Sequence, residues 1–399
     1  MNMENPIFPY DEEKLKKNRE INFGRPYQQC KLSVMDTIAD PDITFDENGI
    51  SNYYYYYKVQ EKNGIFHGEE GQRKLVEMVS TIKKGSKGLK YDCILGLSGG
   101  ADSTYMAYLA KKLGLNPLLV HFDYGWNLET AVKNIEQAVK VLGFDLYTYV
   151  VDWQQFKDLQ RAYFKASVLD LDVPADHLIF ASLAKVAAQH KIRYVLKGYN
   201  IATEAILPKT WNYNRKFDLV NLKNIHRKYG AGSIRNVPKL GLWQRQYYNL
   251  VSRLIDFSPL NYVDYNKEEV KRILNKELGW IDYGGKHCEN IFTRFYQGYI
   301  LPVKFHIDKR KAHLSTLIFS GQMTKEEAMQ ILAEPPYELG LMQMDKEYIA
   351  KKLDFSLEEF EELLALPNRD HAEFGDEQKT EAVINSVRRI FRPIKRILK

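Results

Sequence analysis

Apolar positions change their rhythm twice along the chain. Between about residues 89 and 205, short apolar runs alternate with amphipathic stretches. The runs at 91–97, 116–121, 145–151 and 192–196 read as strands, and the stretches at 102–113, 127–142 and 176–189 as helices. Strand and helix repeating at this interval predict an α/β fold, a parallel sheet with helices on both faces. Before it, residues 1–88 form an irregular N-terminal module with turn signals at 40–42 and 46–49. The five tyrosines Tyr53 to Tyr57 predict an aromatic strand. A helix is expected at 71–83 and a linker at 84–88. From 206 to 399 the rhythm fades into a mixed to helical region, with helices at 267–278, 324–332, 346–353 and 356–366. Two of these open on capping boxes, Thr324 with Glu327 and Ser356 with Glu359. The C-terminal stretch reads as a basic helix with Val387, Ile390, Phe391 and Ile394 on one side, either solvated or facing a partner or membrane surface.

Composition narrows the classes. With 45% hydrophobic and 27% charged residues, the 399-residue chain has the usage of a folded protein with more than one core. The net charge of +6 is local: the last twelve residues carry six Lys or Arg and no acid, and the rest balances at 51 of each sign. A balanced body argues against a broad nucleic-acid footprint. No transmembrane run and no signal-peptide core are visible, and three cysteines are too few for a disulfide framework, so a reducing, cytoplasmic setting is expected.

The sharpest chemical signal is Ser98-Gly99-Gly100-Ala101-Asp102-Ser103-Thr104, between a predicted strand and a predicted helix. Two glycines allow close backbone approach, successive N–H groups turn into one concavity, and the helix N-terminus adds partial positive charge. The Ser98, Ser103 and Thr104 hydroxyls can donate to phosphate oxygens. Asp102 suits such a site only beside a cation such as Mg²⁺. In open α/β sheets ligands bind beyond the carboxyl ends of the strands. There, Asp123 is placed to accept from ribose hydroxyls or to cap the next helix, and Trp126 to flank a base. Gly198 permits nucleotide approach, and Asn200, Glu204 and Asp176 lie near the same rim. His177 reads as a capping residue before a catalyst. A second constellation spans 283–290 and 305–315. Lys286, Lys304, Lys309 and Arg310 make a positive site suited to a diphosphate, His287 and Glu289 offer proton transfer, and His313 lies beside them; a structural ion-pair cluster explains them equally well.

The loop resembles the S-G-G-x-D-S pyrophosphate loop of the N-type ATP pyrophosphatases, which include GMP, asparagine and NAD synthetases and tRNA thiolation enzymes. The resemblance implies their adenine nucleotide alpha hydrolase-like fold, cleavage of ATP between its α and β phosphates, adenylation of a carbonyl or amide oxygen, and ATP and Mg²⁺ as cofactors. Several separated motifs carry a narrower resemblance, to the bacterial N-acetyl sugar amidotransferases: Asp36-Thr37, Ser98 to Ser103, Gly125-Trp126-Asn127, Asn200 to Glu204, Gly284 to Glu289 and Asp308 to Ser315. That family implies conversion of the acetamido group of a nucleotide-linked surface sugar, as in O-antigen or pseudaminic-acid-type pathways, to acetamidino. It also implies ammonia delivered by a glutaminase subunit and a cyclase-like (β/α)8 subunit, both similar to those of imidazole glycerol phosphate synthase. On this reading Asp102, Lys286, His287, Glu289 and Lys309 are catalytic; Asn200, Glu204, Asp176, Lys304, Arg310 and His313 meet the substrate.

One departure matters. The family's four-thiolate zinc pattern falls here on Cys30, Ser33, Ser51 and Tyr54. A single thiolate cannot hold structural zinc, so no zinc is expected and Cys30 is a lone remnant. The main alternative is a tRNA thiolation enzyme, which requires a reactive cysteine. Cys93 lies inside a predicted strand, which leaves Cys288.

Overall fold

The computed structural model describes residues 24–251, 254–284, 289–378 and 380–382. In chain order the elements are α1 (Asn52–Gly64), α2 (Gly68–Gly85), β1 (Cys93–Gly96), α3 (Ala101–Lys112), β2 (Pro117–Asp123), α4 (Glu129–Leu142), β3 (Leu146–Val150), α5 (Trp153–Ala166), α6 (Val173–Gln189), β4 (Tyr194–Leu196), α7 (Ile201–Glu204), α8 (Leu219–Tyr229), α9 (Leu242–Val251), β5 (Ile255–Phe257), α10 (Lys267–Leu278), α11 (Ile291–Phe295), α12 (Leu301–Phe305), α13 (Lys309–Phe319), α14 (Lys325–Ala333), α15 (Leu339–Lys352) and α16 (Leu357–Ala365). The strands form one parallel sheet in the order β3-β2-β1-β4-β5. Strand order reverses direction between β1 and β4, and the ends of both strands face one crevice there.

The pleat explains how short apolar runs serve two faces. Cys93 and Leu95 point to one side with Leu119, Tyr194 and Leu196, under the apolar stripes of α2, α3, α4 and α10. Ile94 points to the other with Leu118, Val120 and Val195, against Val186 and Ala187 of α6. A third and larger core gathers Met35, Ile43 and Tyr57, α5, and the helices α11, α12, α13, α15 and α16. The three sequence segments therefore share a core, and β5 extends the sheet past residue 205. Asp36 shows how firmly the N-terminal segment is pinned: its buried carboxylate pairs with Lys311 of α13 at 2.5 Å and caps the Ile38 and Ala39 N–H groups. Among the described residues no helix is long and apolar enough to cross a membrane.

The five-tyrosine run is helical, a correction to the expected strand. Tyr53, Tyr54 and Tyr57 face the core while Tyr55 and Tyr56 are about half exposed, which is spacing by helical turn and not by alternation. Tyrosine has only a modest bias against helix, and the following Lys58 to Lys62 are mostly good helix formers. Tyr54 and Tyr57 pack on Phe319 with ring centroids 5.4 and 5.7 Å apart. Pattern reading does not list β5 or the helices α5, α7, α8, α9, α11, α12 and α13. Helix α5 buries Phe156, Leu159, Tyr163 and Phe164, and β5 is only three residues long. Helix α15 begins seven residues before the expected 346, because the Glu338 carboxylate accepts from Gly340 and Leu341 N–H at 2.8 and 2.6 Å. Both expected capping boxes are present, at α14 and α16. The basic stretch 388–399 lies outside the described residues.

Candidate active site

The loop after β1 is built from its own atoms. Gly99 takes φ +83°, and a Cβ there would lie 2.4 Å from the Ala131 carbonyl oxygen, so the chain can pass under α4 only without a side chain. The Gly99 carbonyl is held by Trp280 Nε1 at 2.8 Å. Ser98 Oγ and Ser103 Oγ lie 3.1 Å apart; the Gly100 N–H donates to Ser98 Oγ at 3.3 Å, and Ser103 Oγ donates to the Gly100 carbonyl at 3.2 Å. Helix α3 then starts at Ala101, with its N-terminus aimed into a cavity of about 180 Å³. From β4, Gly198 closes that cavity: a Cβ there would sit 3.1 Å from the Asp102 backbone and press on the first turn of α3.

The cavity carries both signs of charge. Asp102, Glu204 and Glu289 face it together with Lys267 and Lys271 of α10. Lys271 bridges Asp282 at 2.9 Å and Glu268 at 3.2 Å. Tyr265 donates a close hydrogen bond to Asp102 Oδ1, and burial together with the Asp102 charge drives the Tyr265 hydroxyl pKa far above its ordinary value. Among the described residues no group of three His, Cys, Asp or Glu stands close enough to hold a metal by itself. The Asp102 carboxylate facing the cavity is an oxygen donor of the kind a hard cation such as Mg²⁺ takes.

Ser98 and Glu289 also line a second cavity, of about 390 Å³, between the ends of β1 and β2 and the start of α6. Its far wall is ionic. Asp172 is half-buried because it faces the cavity, yet protein encloses it, and burial with the neighbouring Asp176 and Asp170 charges raises its carboxyl to about 7. Lys216 contacts Asp176 closely and Asp170 at 3.2 Å. Lys309, the first residue of α13, faces the same space, and desolvation lowers its pKa against the pull of Asp170 and Asp172. His121 is likewise held below its ordinary value by burial, and lies 3.2 Å from the Leu97 carbonyl. Between α11 and α12 the helix widens into one π turn, Tyr296–Ile300, which sets Gln297 beside Lys309. These two residues also line a third cavity, of about 580 Å³ and more apolar, in the helical region.

Two family models match this chain. Residues 92–208 match "Queuosine biosynthesis protein QueC", and residues 289–388 match "LPS biosynthesis protein WbpG-like, C-terminal domain". The chain thus carries a QueC-like region that contains the 98–104 loop and, after it, a WbpG-like C-terminal domain. Among curated relatives, a tRNA(Ile)-lysidine synthase of Chlamydia pneumoniae is 39% identical over 72 residues, 17% of this chain and 23% of that protein. An uncharacterized protein of Methanocaldococcus jannaschii is 26% identical over 278 residues, 67% of this chain and 80% of its own. Among solved structures, an NH3-dependent NAD synthetase from Campylobacter jejuni aligns with a TM-score of 0.31 at 17% identity, covering 71% of this chain and 95% of that one.

The pyrophosphate loop and the WbpG-like domain meet at Glu289, which lines both of the first two cavities. Of the expected nucleotide residues, Ser98, Gly100, Ala101, Asp102, Ser103 and Gly198 line the first cavity, and Gly99 lies beneath them. Thr104 is fully buried and lines none of the three cavities; its backbone N–H closes the first helical turn on the Gly100 carbonyl at 3.0 Å. Asp123 Oδ1 accepts from the Gly125 N–H at 3.0 Å, in the turn after β2 and outside the three cavities. Trp126 is not positioned to flank a base. It is fully buried, donates to Gln160 at 2.8 Å, and packs edge-on against Trp153 at 5.4 Å.

The expected substrate residues divide. Glu204 reaches the first cavity, Asp176 and Lys309 the second, and Arg310 and His313 the third. Asn200 and Lys304 line none of them. Asn200 is buried and caps α7 by accepting from the Thr203 N–H at 2.9 Å, and Lys304 donates to the Leu364 and Leu366 carbonyls at the end of α16. His177 is buried between the Lys216 carbonyl and the Leu240 N–H, each at 3.0 Å. Lys286, His287 and Cys288 lie outside the described residues. Cys30 is buried with Ser33 and Ser51; burial raises the thiol pKa, hydrogen bonds from those two residues outweigh that, and the net value is lowered. Sequence reading passed over Tyr265, Lys267 and Lys216 as site residues. For Lys267 the signal was its place at the start of a helix facing the loop; Lys216 sits in an irregular stretch with no pattern to mark it.

Proposed function

We propose that the protein is an ATP-dependent amidotransferase, which activates the acetamido oxygen of a nucleotide-linked bacterial surface sugar and replaces that oxygen with nitrogen. The observation that carries this reading is the loop at residues 98–103, which opens on one side to the charged first cavity and on the other to the larger second one. The match of 289–388 to an LPS biosynthesis domain supports a sugar acceptor.

An amide oxygen is a poor leaving group, so it must be converted before nitrogen can displace it. The amide oxygen attacks the α-phosphorus of ATP, and pyrophosphate departs. The loop hydroxyls of Ser98 and Ser103, the α3 N-terminus and Lys267 stabilise the charge that builds on the departing diphosphate. Asp102, oriented by Tyr265, would hold the Mg²⁺, which neutralises phosphate charge when bound. Ammonia then attacks the imidate carbon, AMP leaves with the original oxygen, and the adduct loses a proton to yield the acetamidino group. Ammonia must arrive unprotonated, which favours delivery by a glutaminase partner with a cyclase-like barrel subunit over capture from bulk water. Glu289, on the boundary of both cavities, is the proposed proton acceptor for the collapsing adduct.

The test is mass spectrometry of nucleotide-linked diacetamido sugars incubated with ATP, Mg²⁺ and ammonium chloride. A product in which one O has become NH, with equal AMP and pyrophosphate, is expected. Release of AMP only with tRNA would assign the chain instead to tRNA modification, as in the similar tRNA(Ile)-lysidine synthase and tRNA-specific 2-thiouridylase. Thiolation at Cys93 is disfavoured: the residue is fully buried in β1, and burial drives its thiol pKa far up.

A further inference from the structure

We propose that the third cavity is the acceptor site: it encloses the neutral, N-acetylated sugar ring, and Gln297, at its opening into the second cavity, receives the acetamido group to be converted. This deepens the amidotransferase reading and rests on it. The cavity's volume of about 580 Å³ lies inside the roughly 300–1,000 Å³ span of small-molecule sites, whereas the first, of about 180 Å³, has room for little beyond a diphosphate. It also adjoins the reaction centre from two sides. Lys267, Tyr283 and Gly284 line it together with the first cavity, and Gln297 and Lys309 line it together with the second. None of its lining residues falls within 92–208, the part matched to QueC, and most fall within 289–388, the WbpG-like part. The loop and this cavity therefore come from different stretches of the chain, as a shared activation step and a particular acceptor require.

The lining selects an uncharged ligand. Leu314 and Leu317 of α13, with Met323, Ile331 and Leu341, form an apolar wall. The arginines are already paired: Arg294 with Asp345 at 2.9 and 3.0 Å, and Arg310 with Asp308 at 2.8 Å and with the Ile331 and Glu334 carbonyls. A diphosphate placed among them would compete with those pairs. A sugar ring instead lays its acetamido methyls on the leucines, and its charged carrier stays outside the apolar part. At the junction with the second cavity the polar groups are open. The Gln297 amide and the Lys309 ammonium are half-buried, and neither makes a hydrogen bond or ion pair among the described residues. Half-buried polar groups without protein partners bond to water or to ligand. A primary amide offers one acceptor oxygen and two donors, the complement of an acetamido N–H and C=O. The backbone presents it: Gln297 sits in the π turn Tyr296–Ile300, and an added Cβ at Gly298 would lie 3.1 Å from the Tyr337 ring, so the turn packs closely on Tyr337. By accepting from the acetamido N–H, Gln297 Oε1 leaves more electron density on the oxygen that attacks ATP and stabilises the positive charge that the nitrogen gains in the imidate. Lys309, facing the second cavity, donates to the phosphate of AMP as it leaves.

The test uses full-length protein and two probes, UDP-N-acetylglucosamine and UDP-glucose, which differ in the acetamido group. In saturation-transfer NMR the acetamido methyl should be the most strongly saturated group of the first probe, and UDP-glucose should bind more weakly by roughly tenfold. Gln297→Leu should erase that preference, and Gln297→Glu, which keeps an acceptor, should retain part of it. Both should bind ATP with an affinity within about twofold of the wild type. Leu317→Trp fills the space along the apolar wall and should abolish saturation of the methyl while ATP still binds. An unsaturated methyl in the wild type, an unchanged preference in Gln297→Leu, or equal loss of sugar and ATP binding in that variant would overturn the proposal. If Leu317→Trp does not fold, the Gln297 variants decide alone, since that side chain holds no other part of the protein. Selective binding of the acetamido sugar without any ATP-dependent product would leave the site standing and sink the amidotransferase reading.

Discussion

The pyrophosphate loop and the second cavity share Ser98 and Glu289, yet they are made in opposite ways. The loop is seven consecutive residues whose hydroxyls and N–H groups hold one another, with a single left-handed glycine setting the bend. Its ligand is an anion, and the groups an anion needs are backbone N–H donors that every residue carries. Local conformation suffices. The ionic wall of the second cavity instead draws on the start of α6, an irregular stretch at Lys216 and the first turn of α13. Its function depends on the balance of charge among side chains, and that balance exists only once distant segments have packed. An anion site can therefore be written in one motif, whereas an ionic wall is written in the topology.

The comparison can be broken most sharply at Asp102. Asp102→Ala is expected to lower ATP turnover by roughly 1,000-fold, since it removes the proposed metal ligand at the loop. Pyrophosphate exchange should vanish with it. Exchange that persists in the variant, measured with labelled pyrophosphate, would show that the loop does not hold the departing diphosphate. The next largest effect is structural. Lys311→Met leaves the Asp36 carboxylate buried beside α13 with its cation gone, and should cost about 3–5 kcal/mol of unfolding free energy in chemical denaturation. Because Lys309 and Lys311 share the first turn of that helix, the variant should also weaken ammonium-driven turnover more than pyrophosphate exchange. An equal loss of both would mean that the N-terminal segment does not support the second cavity in particular.

How much was readable in advance follows the same division. Strands β1 to β4 and the loop between β1 and α3 follow from apolar runs, glycines and their spacing, because each is decided by neighbours in sequence. Trp126 and Asn200 were misread for a single reason. Polar or aromatic residues beyond a strand end look like ligand contacts, but the direction of the side chain is set by what packs there: Trp153 and Gln160 for Trp126, and the N-terminus of α7 for Asn200. The tyrosine run misled because five like residues carry no periodicity of their own; Phe319, more than 250 positions away, selects which of them turn inward. Lys216 gave no signal at all, being an isolated lysine in an irregular stretch whose partners are on α6 and just before it.

The smallest effects test the division within one helix. Helix α16 is capped at its start by its own sequence: Ser356 Oγ accepts from the Glu359 N–H at 3.0 Å, and Glu359 returns a bond to the Ser356 N–H at 2.8 Å. At its end the carbonyls of Leu364 and Leu366 are held by Lys304, some 60 residues earlier, at 2.8 and 2.6 Å. Burial lowers the Lys304 pKa, so two carbonyl contacts offset a desolvation cost. Lys304→Met, which keeps the aliphatic stem and removes the donor, should cost about 1–2 kcal/mol. Ser356→Ala should cost about 1 kcal/mol. Hydrogen exchange separates them further. The serine change should speed exchange only in the first turn of α16, since its cap is local. The lysine change should also loosen the segment around residue 304, because the contact it breaks joins two parts of the fold. Exchange confined to α16 in both variants would mean that the Lys304 contact contributes no long-range support.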